Sequence, residues 1–284
     1  MNNKKRASLR WIRAGLLLVT VICLFKTGSE YYLSVRHKSR QQNLSALLRT
    51  EERATGLLPQ ATVELGEQQA AVVQNGQPEA PEEEDSEPVI MDKFEELYAR
   101  NNDLIGWLTI PETVIDYPVM QCEDDEYYLH HSFYGETDKY GCLYVRERAD
   151  VNTPGTNFLI YGHNMKDGTM FGSLDEYRSK SFYEEHPLLY FDTLYEERTY
   201  EIVAVFLSQV YRDDEDVFKY YQFYEADTEE EFRSFYENIK KLSLYETGVT
   251  AEYGDTFLTL STCAYHVKDG RLAVVAKYVE NGPE

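Results

Sequence analysis

Cys263 closes the run Thr256-Phe-Leu-Thr-Leu-Ser-Thr-Cys263, seven residues follow, and Arg271 then opens Arg-Leu-Ala-Val-Val-Ala-Lys-Tyr-Val. Paired as a hairpin, these two β-rich runs set a thiol and a guanidinium side by side at one rim. A neighbouring cation lowers a thiol's pKa and favours the reactive thiolate. A guanidinium also stabilises an oxyanion developing on a carbonyl. Such a nucleophile further needs an imidazole to share its proton and later protonate the leaving amine. His163 emerges just past the apolar run Thr156-Asn-Phe-Leu-Ile-Tyr161-Gly162, where the glycine permits a sharp turn. His130 and His131 lie in a polar stretch, His186 stands before a proline and His37 belongs to the N-terminal leader. The chemistry these residue types allow is nucleophilic acyl transfer. The plain alternative is a buried structural cysteine with a solvated rim arginine.

Other chemistries lack their residues. Cys263-x-x-His266 is a lone pair without the second half of a zinc site. There is no phosphate-cradling glycine loop or cofactor motif, so the expected chemistry is cofactor-free. The acidic run Asp213-Asp214-Glu215-Asp216 reads as a solvated face rather than a calcium site. Cys23 sits in the apolar leader. Cys122 and Cys142 either form a disulfide or pack as two buried thiols.

The elements that must position these side chains are mostly short strands. β-rich runs fall at 106–110, 114–120, 141–145, 156–161, 188–192, 199–207, 256–262 and 271–279, punctuated by Pro111, Gly135, Pro154-Gly155, Gly162 and Asp269-Gly270. Eight short strands predict a β-barrel or sandwich. Phe94, Leu97 and Tyr98 predict a short helix over 92–101. Thr228 with Glu231 forms a capping box, and Phe232, Phe235, Tyr236, Ile239 and Leu242 follow at helical spacing, which predicts an amphipathic helix over 229–242 before the seventh strand. The folded domain is expected over 91–284.

The chain's net charge of −22 hides a split: residues 1–40 carry nine Lys/Arg against one Glu, net +8, and the rest carries −30. So acidic a body has no electrostatic footprint for nucleic acid. Within the basic leader, Ala14 to Phe25 is a run of twelve uncharged residues. At helical rise it spans about 18 Å, short of a hydrocarbon core of about 30 Å. It reads either as a signal peptide or as an anchor lengthened by Trp11, Ile12 and snorkelling Arg13 and Lys26. Lys26-Thr27-Gly28-Ser29 is a poor cleavage site, which favours an uncleaved single-pass anchor with the acidic body on the extracellular side. Residues 41–90 are rich in Gln, Glu, Ala and Pro and read as an acidic linker, with a possible helix over 44–53.

These residues resemble the sortases, cysteine transpeptidases of Gram-positive bacterial surfaces, and class B among them. The resemblance covers residues 92–280. It is carried by Thr259-Leu-Ser-Thr-Cys263 followed by Arg271, by Tyr161-Gly-His-Asn-Met165 with Met170-Phe171, and by Asn102-Asp-Leu-Ile-Gly-Trp107 leading into Ile115-Asp-Tyr-Pro-Val119. It implies an eight-stranded sortase-like β-barrel with an N-terminal helix and a helix inserted before the seventh strand. It implies Cys263 as nucleophile, His163 as general acid/base, Arg271 as oxyanion and substrate group, and an N-terminal membrane anchor. Leu129, Tyr161, Ser261 and Thr262 match positions lining the peptide groove, with barrel packing as the alternative for each. The implied partners are secreted surface proteins bearing a C-terminal sorting motif, cleaved through a thioester acyl-enzyme, and an acceptor amine from a peptidoglycan precursor or a pilin. The sequence departs from a close class B relative at Asp125, where that relative has Asn, and at Ala264, where it has an acid. The competing functions are a secreted cysteine protease that hydrolyses peptides and a catalytically silent surface or pilus-assembly module.

Overall fold

The computed structural model describes residues 3–56 and 88–280. Helix α1 (Asn3–Gly56) and helix α2 (Asp92–Arg100) come first. Eight strands follow among the described residues: β1 (Leu104–Thr109), β2 (Asp116–Met120), β3 (Leu143–Tyr144), β4 (Asn157–Tyr161), β5 (Leu188–Thr193), β6 (Thr199–Gln209), β7 (Phe257–Cys263) and β8 (Gly270–Val279). The short helices α3 (Tyr127–His130) and α4 (Lys180–Glu185) and the longer α5 (Glu229–Leu242) lie between them. The strands close into a barrel in the order β1-β2-β3-β4-β7-β8-β6-β5, with β5 returning to β1. Most neighbours are antiparallel, but β2 with β3 and β4 with β7 run parallel. The barrel expected from the sequence is the barrel observed.

Side-chain alternation makes the interior. Along β5, Leu189 and Phe191 point into the core with Ile160, Ile202, Leu258, Leu260 and Val274, while their neighbours are half-exposed. β6, β7 and β8 are instead buried almost continuously through their middles, because both of their faces are covered. The outer cover is α5, which buries Phe232, Phe235 and Ile239 against Phe257, Ala273 and Val275. The predicted capping box starts this helix: Thr228 Oγ1 accepts from the Glu231 amide at 3.2 Å, and Glu231 Oε2 accepts from the Thr228 amide at 3.1 Å.

α2 buries Phe94 and Leu97, and its Lys93 ammonium reaches Asp192 at 2.8 Å and Glu197 at 2.6 Å. α1 runs without a break through the boundary expected at residue 40. Leu44 and Leu48 join Phe94, Leu97 and Trp107 in one apolar cluster, His37 stacks on Tyr140 with ring centroids 4.2 Å apart, and Arg36 and Arg40 converge on Glu136. The remainder of the expected linker, 57–87, lies outside the described residues. Cys122 and Cys142 are both free thiols. Burial pushes the Cys142 thiol well above its ordinary range, which makes it an inert packing residue.

Candidate active site

Because β4 and β7 are parallel, with Tyr161 level with Ser261, the two chains leave the barrel in the same direction. His163 and Cys263 each come two residues later, so both reach the same rim. On the other side of β7 the antiparallel β8 sets Arg271 level with Cys263, forming the hairpin expected from the sequence. The structure thus brings Cys263, His163 and Arg271 to one edge, all three half-buried.

Three hydrogen bonds lock the His163 segment to the Cys263 strand. Asn164 Nδ2 donates to the Cys263 carbonyl at 2.7 Å, Thr262 Oγ1 donates to the Gly162 carbonyl at 2.7 Å, and the Gly162 amide donates to the Ser261 carbonyl at 3.3 Å. Gly162 does not adopt the left-handed conformation that a glycine turn suggests. It is needed for space: a Cβ there would sit 2.5 Å from a Leu143 methyl and 2.7 Å from the Phe171 ring. Beyond it, residues 164–170 form a small closed loop. The loop is pinned by the Asn164–Met170 bridge, by the Phe171 amide on the His163 carbonyl at 3.0 Å, and by Thr169 Oγ1 on Asp167 Oδ1 at 2.6 Å.

His163 Nε2 lies 2.8 Å from the Leu129 carbonyl. A carbonyl only accepts, so Nε2 carries a proton and Nδ1 is the ring nitrogen left for exchange. The Arg271 guanidinium donates to the carbonyls of Gly270 at 3.0 Å and Asp269 at 3.3 Å and has no carboxylate partner among the described residues. Its charge is therefore available to an incoming anion. Burial pushes the Tyr144 and Tyr220 hydroxyls up to about 12, with Cys263 and Arg271 acting on both in opposite senses, so these neutral phenols flank the pair.

The four expected groove residues divide. Tyr161 is half-buried, stacked on Tyr144 at 5.6 Å and capped by the Arg146 guanidinium at 5.3 Å. Leu129 is half-buried on α3 and offers its backbone to His163. Ser261 and Thr262 are buried and their hydroxyls are engaged internally, Ser261 with the Tyr220 hydroxyl at 2.8 Å and Thr262 with Gly162. Sequence reasoning gave no role to Asn164, Tyr144 or Tyr220. Asn164 stood inside a quoted motif, but its reach to Cys263 depends on a strand register that spacing does not reveal.

A cavity of about 590 Å³ between α1 and the barrel, lined by His37, Gln41, Asp116 and Tyr117, is not lined by Cys263 or His163. A smaller one of about 400 Å³, lined by Glu30, Ser34, Asn164, Asp167 and Tyr265, adjoins the loop after His163.

Residues 108–279 match the Sortase domain family model. The sortase B of Listeria monocytogenes serovar 1/2a is 34% identical over 196 residues, covering 67% of this chain and 75% of that protein. This chain belongs to the sortase family. Solved structures agree on the type. Sortase B of Bacillus anthracis in complex with AAEK1 is 36% identical with a TM-score of 0.60, covering 69% of this chain and 88% of that one. The Staphylococcus aureus sortase B–substrate complex is 28% identical with a TM-score of 0.61, covering 67% and 86%. A sortase B complexed with triglycine is 29% identical with a TM-score of 0.60, covering 66% and 85%. The protein is a cysteine transpeptidase of the sortase B family, with an apolar N-terminal helix ahead of its barrel.

Proposed function

We propose that this sortase is held in the cell membrane by the apolar stretch of α1, faces the extracellular side, and joins secreted surface proteins to an amine of the cell wall or of a pilin. The observation that carries the reading is the common rim to which parallel β4–β7 and antiparallel β7–β8 direct His163, Cys263 and Arg271. The Cys263 thiolate attacks a Thr carbonyl in a C-terminal sorting motif. The carbonyl oxygen takes up negative charge, and Arg271 stabilises it. As the tetrahedral species collapses, His163 gives a proton to the departing amine, leaving a thioester on Cys263. The acceptor amine then loses a proton to His163, attacks the thioester and forms a new amide, and Cys263 is released. Leu129 and Tyr161 form walls of the peptide groove, while Ser261 and Thr262 act from behind it by fixing β7.

An amine acceptor is supported by the relative solved with triglycine. Anchoring is supported by α1. Its apolar window is not buried at all, and large side chains such as Trp11 (79% exposed) and Phe25 (79%) are bare. The basic residues preceding Ala14 favour a cytoplasmic N-terminus.

Hydrolysis and transfer share the acyl-enzyme and differ only in the acceptor. A peptide library of sorting-type motifs, digested with and without triglycine, separates them. The expected result is amide-linked product that appears only with the amine. Identical hydrolysis products in both conditions would contradict transfer.

A further inference from the structure

From the exposed surface where α1 meets the barrel, we infer that the β7–β8 loop, Ala264 to Asp269, rests on the headgroup layer of the membrane that holds α1, so that the catalytic rim works at the lipid surface. This rests on the anchoring reading above.

α1 is one continuous helix, so position along it converts to distance. The apolar run ends at Phe25, and the first contacts with the domain are Glu30 with Lys139 and Ser34 with Asp167, the latter at 2.9 Å. At helical rise these lie about 7 to 14 Å beyond Phe25, the nearer at the outer edge of a headgroup layer about 5 to 7 Å thick. Tyr31 and Tyr32, 73% and 63% exposed, stand at that depth, where amphipathic rings favour the interface.

The structure places the β7–β8 loop at the same level, because Tyr265 shares one cavity wall with Glu30 and Ser34. This loop exposes side chains that a water-facing turn does not need: Tyr265 is 75% exposed and Val267 45%, with the Lys268 side chain 93% exposed beside them. Lys26 and Lys166 are exposed nearby. An exposed aromatic and an exposed aliphatic beside Lys268, which lies 4.0 Å from Asp269, suit the amphipathic headgroup layer of a membrane.

The test uses the full chain in vesicles of phosphatidylglycerol and phosphatidylcholine, some carrying lipids brominated near the headgroup. Tyr265→Trp adds an emission that is read as the difference from the parent protein. Tyr253→Trp, in the loop before β7 at the opposite end of the barrel, is the comparison. The expected result is loss of most of the added Tyr265→Trp emission in brominated vesicles, and no loss for Tyr253→Trp. Unquenched Tyr265→Trp emission in a chain that sediments with the vesicles would overturn the inference and leave the anchor standing. Equal quenching at both positions would also overturn it. A chain that fails to sediment would overturn the anchor reading, and this inference with it.

Discussion

Asn164 joins the two segments that carry the proposed catalytic side chains, through one hydrogen bond from its amide to the Cys263 carbonyl. Losing a donor to a part-buried carbonyl costs about 1–3 kcal/mol, so Asn164→Ala is expected to lower kcat/KM by about 10- to 100-fold with the barrel intact. Asn164→Asp cannot donate from an ionised carboxylate and is expected to behave like the alanine variant in the same assay. Removing His163 is expected to cost about 10²–10⁴ in transfer rate, and Arg271→Ala about 10²–10³, with Arg271→Lys only partly restoring activity because a lysine cannot reproduce the planar fork. The pairing of Cys263 with Arg271 was legible in the sequence as two β-rich runs separated by seven residues, whereas the approach of His163 to the same rim was not. Nor was the role of Asn164, since nothing local reveals that β4 and β7 lie parallel. Gly162 was legible as necessary, but for a turn rather than for the close approach of Leu143 and Phe171 that requires it.

At the level of elements, α5 was the most legible, because the capping box and five apolar residues at helical spacing agree on one stretch. Phe235 is buried there and stacks on Phe223 with ring centroids 4.1 Å apart. Phe235→Ala is expected to destabilise the domain by about 3–5 kcal/mol, read as a lowered Tm. The strands were legible as short β-rich runs separated by turn residues. α3 spans four residues and α4 six, too few to show a helical period. The loop after His163 carries a pH dependence. Burial alone would raise the Asp167 carboxyl, but hydrogen bonds from Thr169, Ser34 and Tyr140 outweigh it and hold it at about 2. A carboxyl depressed in the folded state stabilises above its unfolded pKa, near 4, and loses that contribution as pH falls toward 2. Amide protection over residues 164–170, taken relative to the intrinsic exchange rate at each pH, is therefore expected to fall between about pH 4 and pH 2 in the parent protein, and Asp167→Asn is expected to flatten that dependence.

For the whole molecule, the charge split seen in composition has a structural counterpart in α1, which carries the basic, apolar leader directly onto an acidic barrel. The docked half of α1 was hard to read because its buried stripe is sparse. Buried His37, half-buried Gln41 and buried Leu44 and Leu48 recur every three or four residues, but only two of them are aliphatic, and the surrounding Gln and Glu suggest a solvated tether. Each buried leucine is worth about 1.5–3 kcal/mol. A chain starting at Asp92 is accordingly expected to melt several degrees below one starting at Glu30, by calorimetry, because it bares Phe94 and Leu97. The parallel and antiparallel neighbours of β7 bring His163 and Arg271 to the rim of the proposed nucleophile Cys263. The measurement that bears most directly on this chemistry is peptide mapping by mass spectrometry of the full chain after brief reaction with a sorting-motif peptide, alongside Cys263→Ala. The expected result is a hydroxylamine-labile acyl group on Cys263 and loss of both cleavage and transfer in the variant. An acyl group on Cys122, or full cleavage and transfer by Cys263→Ala, would contradict it.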